Sequence, residues 1–180
     1  MIAQVTEHTE RPTLNGLAPA GEMARGAQLS RDQIYRYALW RIWDRRLPRV
    51  IWIMLNPSTA DAQQDDPTVR RCLSFSREWG YGSLTVLNLF AARATDPKQL
   101  ATFDDPSGPM NDVFIRNIIA PPSSLIVCAW GAHASAARRV PAIREMLRIT
   151  GKEPMCLGIT KDGQPRHPLY VPAATPLVRF

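Results

Sequence analysis

Four continuous apolar runs alternate with helix-like segments, and this alternation constrains the fold more than any other feature of the chain. The runs are RVIWIML at 49–55, SLTVLNLF at 83–90, SLIVCAWG at 124–131 and EPMCLGIT at 153–160. Strands covered on both faces read as continuous apolar runs, whereas half-exposed strands alternate. The pattern therefore predicts a three-layer α/β sandwich with a mostly parallel central sheet, of about four buried strands plus an edge strand.

The segments between the runs carry helix signals. DDPTVRRCLSFSREWG, at 65–80, offers Asp65 or Asp66 as a cap, Pro67 for the first turn and Gly80 for a left-handed stop. GPMNDVFIRNIIAPP, at 108–122, predicts a short helix. The segment 132–151 is also helical in pattern, and its Pro141 either kinks the helix or divides it in two.

The region before the first buried run is less regular. Residues 1–29 are rich in Thr, Ala, Gly, Pro and Glu and are expected to be a tail or a loosely packed lead-in. IYRYALWRIW, at 34–43, alternates apolar and polar residues and predicts a half-exposed edge strand. Residues 30–180 are expected to form a single α/β domain.

Composition narrows the classes of function. The net charge is +6, and arginine supplies nearly all of the positive charge, a balance compatible with a nucleic-acid or nucleotide partner. No apolar run approaches the roughly 20 residues that span a bilayer, and no secretory signal is visible. We therefore expect a cytoplasmic protein with no membrane partner; the oligomeric state is left open.

The cysteines argue against a metal or disulfide framework. Cys72, Cys128 and Cys156 lie far apart in apolar segments, and none forms a CxxC pair. We expect buried, reduced thiols and predict neither a metal site nor a cofactor.

Polar side chains collect where the predicted strands end. Ligands of open α/β sheets bind at the carboxyl ends of the strands, so these exits are expected to share one cleft. Asn88 is notable because an amide inside an apolar strand must find partners. The exits comprise 56–61, Asn88 with Arg93, 130–133, and Thr160 running on to 166–170.

Some of these residues also have simpler interpretations. Asn56 before Pro57 could begin a turn, and Ser58, Thr59 or Asp61 could cap a helical turn there. His133 is expected at a helix start with local hydrogen bonds. His167, in a loop beside Arg166 and two prolines, is the better candidate for catalysis or phosphate binding.

Several motifs together resemble a known family. The segments MLNPSTADAQQDDPTVRRC, VLNLFAARATDP, AWGAH and TKDGQPRHPLY closely resemble the bacterial domain-of-unknown-function family 1643, over about residues 30–175. That family name implies no activity.

The same motifs more distantly resemble the uracil-DNA glycosylase superfamily, in the same order. Its first motif, of the type G-x-N-P-G, matches at Asn56 and Pro57 and departs at Met54 and Ser58. A later strand of that superfamily ends in an asparagine that reads the base, which corresponds to Asn88 in VLN.

Two further motifs continue the resemblance. A strand ending in WG matches Trp130 and Gly131, and a motif of the type H-P-S-P matches His167 and Pro168. Leu169 departs from the serine that often contacts phosphate there. The resemblance implies a uracil-DNA-glycosylase-like fold and a nucleobase-containing ligand, with DNA among the candidates.

The resemblance also implies roles for individual residues. Asn56 would hold the attacking water, and His167 would donate to or stabilise the departing base, so these two are the candidate catalytic residues. Asn88 would bind a base edge. The remaining candidate substrate-binding residues include possible base-stacking rings and phosphate-binding arginines, and they are Pro57, Ser58, Thr59, Asp61, Phe90, Arg93, Trp130, Gly131, Arg166, Pro168 and Tyr170.

Two alternatives remain at this point. The chain could be a non-catalytic nucleic-acid or nucleotide-binding module that keeps the pocket without the chemistry. The carboxylates of Asp61, Asp65 and Asp66 could instead bind Mg²⁺ in a metal-assisted hydrolase or transferase, or hold a cationic group. Helix capping before Pro67 is the simpler interpretation of Asp65 and Asp66.

Overall fold

The computed structural model describes residues 23–122 and 124–180. Its strands are β1 (Ala24–Leu29), β2 (Arg36–Ile42), β3 (Arg49–Met54), β4 (Ser83–Asn88), β5 (Ser124–Cys128), β6 (Met155–Cys156) and β7 (Val178–Arg179). The α-helices are α1 (Pro67–Glu78), α2 (Asn111–Ile119) and α3 (Val140–Ile149). Short 3₁₀ helices lie at Pro97–Thr102, Ala134–Arg138 and Pro168–Tyr170.

The described strands form one sheet of seven strands in the order β1-β2-β4-β3-β5-β6-β7. β3 pairs in parallel with β4 and β5, and β5 pairs in parallel with β6. The outer strand pairs are antiparallel, namely β1 with β2, β2 with β4, and β6 with β7. The predicted parallel centre is confirmed, and the outer strands extend the sheet beyond the five strands expected.

The prediction of an edge strand at 34–43 is wrong. β2 lies between β1 and β4 and is mostly buried. The edge position belongs to Ala24–Leu29, within the region predicted to be a loose lead-in; residues 1–22 of that region lie outside the described residues. Gly26 pairs with Trp40, and an added Cβ there would lie 2.2 Å from the indole ring, so only glycine lets this strand approach.

The helix boundaries follow the start and stop signals predicted from the sequence. The Asp66 carboxylate accepts a hydrogen bond from Val69 N at 2.8 Å and caps α1, and Gly80 adopts a φ of 78° after the helix. Pro141 lies in the first turn of α3 and divides the predicted segment into a 3₁₀ helix and an α-helix. The fourth apolar run forms only the two-residue β6.

Two hydrophobic clusters lie on opposite faces of the sheet. Alternate residues of β3 point to opposite faces, so Trp52 packs with α1 while Ile51 packs with α2 and α3. Helices therefore cover both faces, as the three-layer prediction requires. The three cysteines are buried and free. Among the described helices, none is long and apolar enough to cross a membrane.

Candidate functional site

A cleft of about 740 Å³ lies at the carboxyl ends of the central strands. Eight of the predicted site residues line it, and they are Asn56, Ser58, Asn88, Trp130, Gly131, Arg166, His167 and Tyr170. Their positions agree with the rule that ligands of parallel sheets bind where the strands end. The strand exits of β3, β4 and β5 and the loop after β6 therefore meet at one place.

Asn56 is held in one orientation by the loop that it opens. Its Nδ2 donates to the main-chain oxygens of Pro57 at 3.0 Å and Ala94 at 2.7 Å. Ala94 N also donates to Pro57 O, at 2.9 Å, which ties the loop after β3 to the segment after β4. Among the described residues, none donates to Asn56 Oδ1, so the amide oxygen is left to accept a bond within the cleft.

Asn88 ends β4 on the wall of the cleft and is 1% exposed. Neither Oδ1 nor Nδ2 has a hydrogen-bond partner within the described part of the chain. A buried amide without partners costs about 1–3 kcal/mol, and native proteins rarely keep one without a reason. The cleft therefore presents one donor and one acceptor side by side.

His167 follows the short strand β6 and caps a 3₁₀ helix. Its Nδ1 accepts a hydrogen bond from Leu169 N at 3.3 Å. Burial lowers the pKa of His167 below its ordinary value, and the nearby Asp66 carboxylate opposes that shift. The ring is therefore neutral at neutral pH, and with Nδ1 accepting, its proton resides on Nε2.

Gly131 lies beside this histidine. A Cβ at Gly131 would come within 3.4 Å of His167 Cβ, and the φ of Gly131 is +78°. Its N–H donates to Pro165 O at 3.0 Å, which joins the exit of β5 to the histidine loop. The positive φ, rather than a lack of space, therefore favours glycine where the two segments meet.

Arg36 is a cleft residue that sequence reasoning missed. It begins β2 and is 2% exposed, and Nη1 donates to Ala60 O while Nε has no partner among the described residues. Burial lowers the pKa of Arg36 to about 10. The alternating pattern of 34–43 placed this arginine on a solvent face, and the sequence carries no signal that the loop with Ala60 lies over it.

The predicted aromatic residues have three different environments. Phe90, predicted as a stacking ring, is buried in the hydrophobic core and is not among the residues that line the cleft. Trp130 lines the cleft but is buried, with Nε1 donating to Gln164 Oε1 at 2.9 Å. Tyr170 is 82% exposed at the cleft and is the ring with an accessible face.

Five other predicted residues lie outside the set that lines the cleft. Pro57 and Pro168 are buried beside it, and Thr59 is exposed. The Asp61 carboxylate accepts from the N–H groups of 63 and 64, each at 2.8 Å, which lowers its pKa. Arg93 donates to Gln33 O at 3.3 Å. Asp61 is thus a loop cap, as its simpler interpretation held.

The neighbouring carboxylates have separate partners. Asp65 forms an ion pair with Arg41 at 2.7 Å, and Asp66 caps α1. Within the described residues, no group of three or more His, Cys, Asp or Glu side chains is placed to hold a metal ion. Capping therefore explains Asp66, and ion pairing explains Asp65.

Other lining residues were not among the predicted catalytic or substrate-binding residues. Asp66 is the one carboxylate of the lining against three cations, Arg36, Lys161 and Arg166, so the charges of these four side chains sum to +2. His133 also lines it and caps the 3₁₀ helix at Ala134–Arg138, as expected for a helix start. The apolar and small residues are Met54, Leu55, Thr68, Val69, Val86, Ala94, Thr95, Pro97, Ala132, Thr160 and Leu169.

Comparison with known proteins identifies a family. No curated protein matches the chain. No solved structure matches it either. The family model described as "Protein of unknown function (DUF1643)" matches residues 36–169, which include most of the cleft residues described above. The chain therefore belongs to the DUF1643 family.

Proposed function

We propose that this protein binds a nucleobase, in nucleic acid or in a nucleotide, and hydrolyses the N-glycosidic bond that joins the base to its sugar. The observation that carries the proposal is the buried Asn88 amide, whose donor and acceptor both lack partners among the described residues, in a cleft shared with Asn56 and His167. The motif resemblance to the uracil-DNA glycosylase superfamily supports the same assignment, and we propose that the fold is of that type.

Base recognition is assigned to Asn88. An amide side chain can form two hydrogen bonds with a base edge that presents one donor beside one acceptor. The Asn88 amide is shielded from solvent and has no partner among the described residues, so folding has already incurred the cost of removing it from water. A bound base then supplies the missing hydrogen bonds. This arrangement favours binding of a matching base over one that leaves the amide unpaired.

Asn56 is assigned to the attacking water. Its amide nitrogen is committed to two main-chain oxygens, so the remaining Oδ1 can accept a hydrogen bond from a water in the cleft. The water oxygen forms a bond to the anomeric carbon as the bond from that carbon to the base nitrogen breaks. The base leaves with the bonding electrons and takes up the proton that the water loses.

His167 is assigned to the departing base. The neutral ring with its proton on Nε2 is a hydrogen-bond donor that can stabilise negative charge on a base oxygen. Exposed Lys161 and Arg166 lie at the rim, where they can contact phosphates flanking the base.

The test is release of free base from a panel of modified-base oligonucleotides and nucleotides. We expect Asn56→Ala and His167→Ala to lower the rate by about 10²-fold or more, and Asn88→Ala to weaken binding. Asn117→Ala is the matched control, because Asn117 is exposed on α2 outside the cleft lining and its loss leaves the rate unchanged.

The outcomes separate catalysis from binding. Salt-dependent binding that requires Asn88 but gives no base release would replace the hydrolase with a non-catalytic binding module. If the three cleft variants alter neither base release nor ligand binding, the proposal is refuted. Activity lost on chelation and in Asp61→Asn would select the metal-assisted alternative.

A further inference from the structure

Arg36 is a buried cation without a buried anion beside it. Its side chain lines the cleft at the start of β2, and Nη1 is anchored on Ala60 O. Among the described residues it forms no ion pair, and its buried Nε has no hydrogen-bond acceptor. Asp66 and Asp61 favour its charged form only from beyond ion-pair distance.

Arg41 lies on the same strand and is a buried arginine with a structural role. Its charge and its hydrogen-bond donors are matched by protein groups. Its Nε and Nη2 lie 2.8 and 2.7 Å from Asp65 Oδ1. Its remaining donors reach Trp40 O at 2.8 Å and Asp61 O at 2.7 Å. Arg41 lies outside the cleft lining, whereas Arg36 lies within it and has no carboxylate partner in the described part of the chain.

An uncompensated buried charge is costly, and proteins pair such charges or coordinate them to a ligand. The missing counter-charge is therefore expected from whatever occupies the cleft. A donor-only guanidinium can pair only with an acceptor, and an anionic oxygen gives the strongest such bond.

The position of Arg36 places that acceptor at the inner end of the cleft. Arg36 and Asn88 are both almost fully buried, whereas Lys161 and Arg166 are exposed. The chain brings the two buried residues together, because β2 pairs with β4 and Arg36 N donates to Ala91 O at 2.9 Å, three residues after Asn88. The cleft lining thus includes a buried cation on β2 and, at the end of the neighbouring strand β4, a buried amide without a partner among the described residues.

We infer that Arg36 pairs with a negatively charged oxygen of the bound ligand at the inner end of the cleft, beside Asn88. The identification of that ligand as a nucleobase compound rests on the proposed function, whereas the charge argument does not. The oxygen has two possible sources: an oxygen of an acidic base, which carries the charge as the base departs, or a nucleotide phosphate.

The experiment is titration calorimetry with matched probes that differ in charge. Hypoxanthine with xanthine, and uracil with 5-nitrouracil, are two pairs in which the second base is the more acidic. Inosine with inosine 5′-monophosphate tests the phosphate, and inorganic phosphate tests an anion without a base. We expect the wild-type protein to bind at least one anionic member about 10- to 100-fold more tightly than its neutral partner.

Three variants locate that preference. Arg36→Gln should abolish it, and Arg36→Lys, which keeps the charge, should retain part of it. Arg41→Gln removes the other buried arginine of β2 and should leave the preference unchanged in protein that remains folded. If Arg36→Gln does not fold, Arg36→Lys decides the outcome. A preference for the anionic probes that persists in Arg36→Lys but differs in size from that of the wild type sustains the inference. Affinities of Arg36→Lys equal to the wild-type values for every probe overturn it.

The outcomes separate this inference from the proposed function. Phosphate binding lost in Arg36→Gln, without binding of any base, would sustain the anion site and refute nucleobase binding. The role of Arg36 would be overturned by either of two results. In the first, bases bind in a way that depends on Asn88, but the anionic bases bind no more tightly than the neutral ones. In the second, Arg36→Gln prefers the anionic probes as strongly as the wild type does. No binding of phosphate or of any base would overturn both.

Discussion

The side chain of Asn111 holds the strand end that carries Asn88. Asn111 Nδ2 donates to the main-chain oxygen of Asn88 at 3.0 Å and to that of Leu89 at 3.2 Å. The first residue of α2 thus fixes the backbone of β4 at its exit, while the Asn88 side chain makes no hydrogen bond within the described chain. The Asn111 side chain therefore stabilises the fold, whereas we assign the Asn88 side chain to ligand binding.

This division predicts opposite effects for two similar substitutions. Asn88→Leu replaces an unpaired buried amide with an apolar side chain of similar size, and we expect the free energy of unfolding to stay the same or rise by about 1 kcal/mol. Binding of nucleoside monophosphates should be lost. Urea denaturation and titration calorimetry measure the two effects.

Asn111→Leu is the matched control. It removes two hydrogen bonds from buried carbonyls, so we expect the free energy of unfolding to fall by about 1–3 kcal/mol. A large loss of stability in Asn88→Leu would show that its amide is satisfied in the folded protein, contrary to the role assigned to it.

The Arg41–Asp65 pair predicts a second stability effect. The Arg41 side chain is fully buried, and Asp65 is 14% exposed. Asp65→Asn leaves a buried guanidinium without its anion, and we expect a loss of roughly 3 kcal/mol in the free energy of unfolding. In the exposed pair of Arg46 with Asp44, Arg46→Gln should cause no measurable change, because solvent screens that pair. Equal effects in the two pairs would contradict this reasoning.

The parts of the fold that could be predicted are those with periodic patterns and end signals. The first three apolar runs became β3, β4 and β5, and α1 begins and ends at the predicted cap and glycine. The meeting of Asn56, Asn88 and His167 in one cleft could also be predicted, because parallel strands end at the same edge of a sheet.

The remaining features depend on tertiary context. The sequence of β1, ARGAQL, has small residues and no alternating pattern, and it forms a strand because Gly26 allows close approach to Trp40. Arg36 reads as a solvent-facing residue in the alternating pattern, but its side chain is buried and its Nη1 donates to Ala60 O in the loop after β3. Phe90 follows a strand exit like the cleft residues, yet its side chain packs into the core.

The lowered pKa of His167 predicts a pH dependence of stability. A histidine whose pKa is lower in the folded state resists protonation there, so the unfolded state binds more protons below its own pKa of about 6.5. This contribution to the free energy of unfolding is therefore full above that pH and is lost progressively as the pH falls through the window down to the folded pKa. Denaturation curves of wild-type protein and His167→Gln from pH 7.5 to about 5 measure the difference, which should shrink or reverse as the pH falls. Parallel curves would contradict the shift.

Tyr170 predicts an effect on binding alone. Its ring is 82% exposed and its centroid lies 5.4 Å from that of His167, so it can cover a base without contributing to the core. Stacking on an aromatic side chain is worth about 1–3 kcal/mol per base, so Tyr170→Ala should weaken nucleotide binding by roughly 5- to 150-fold, with an unchanged melting temperature. Tyr170→Phe keeps the ring face and should bind like the wild type. If Tyr170→Phe weakens binding as much as Tyr170→Ala, the hydroxyl rather than the ring face contacts the ligand.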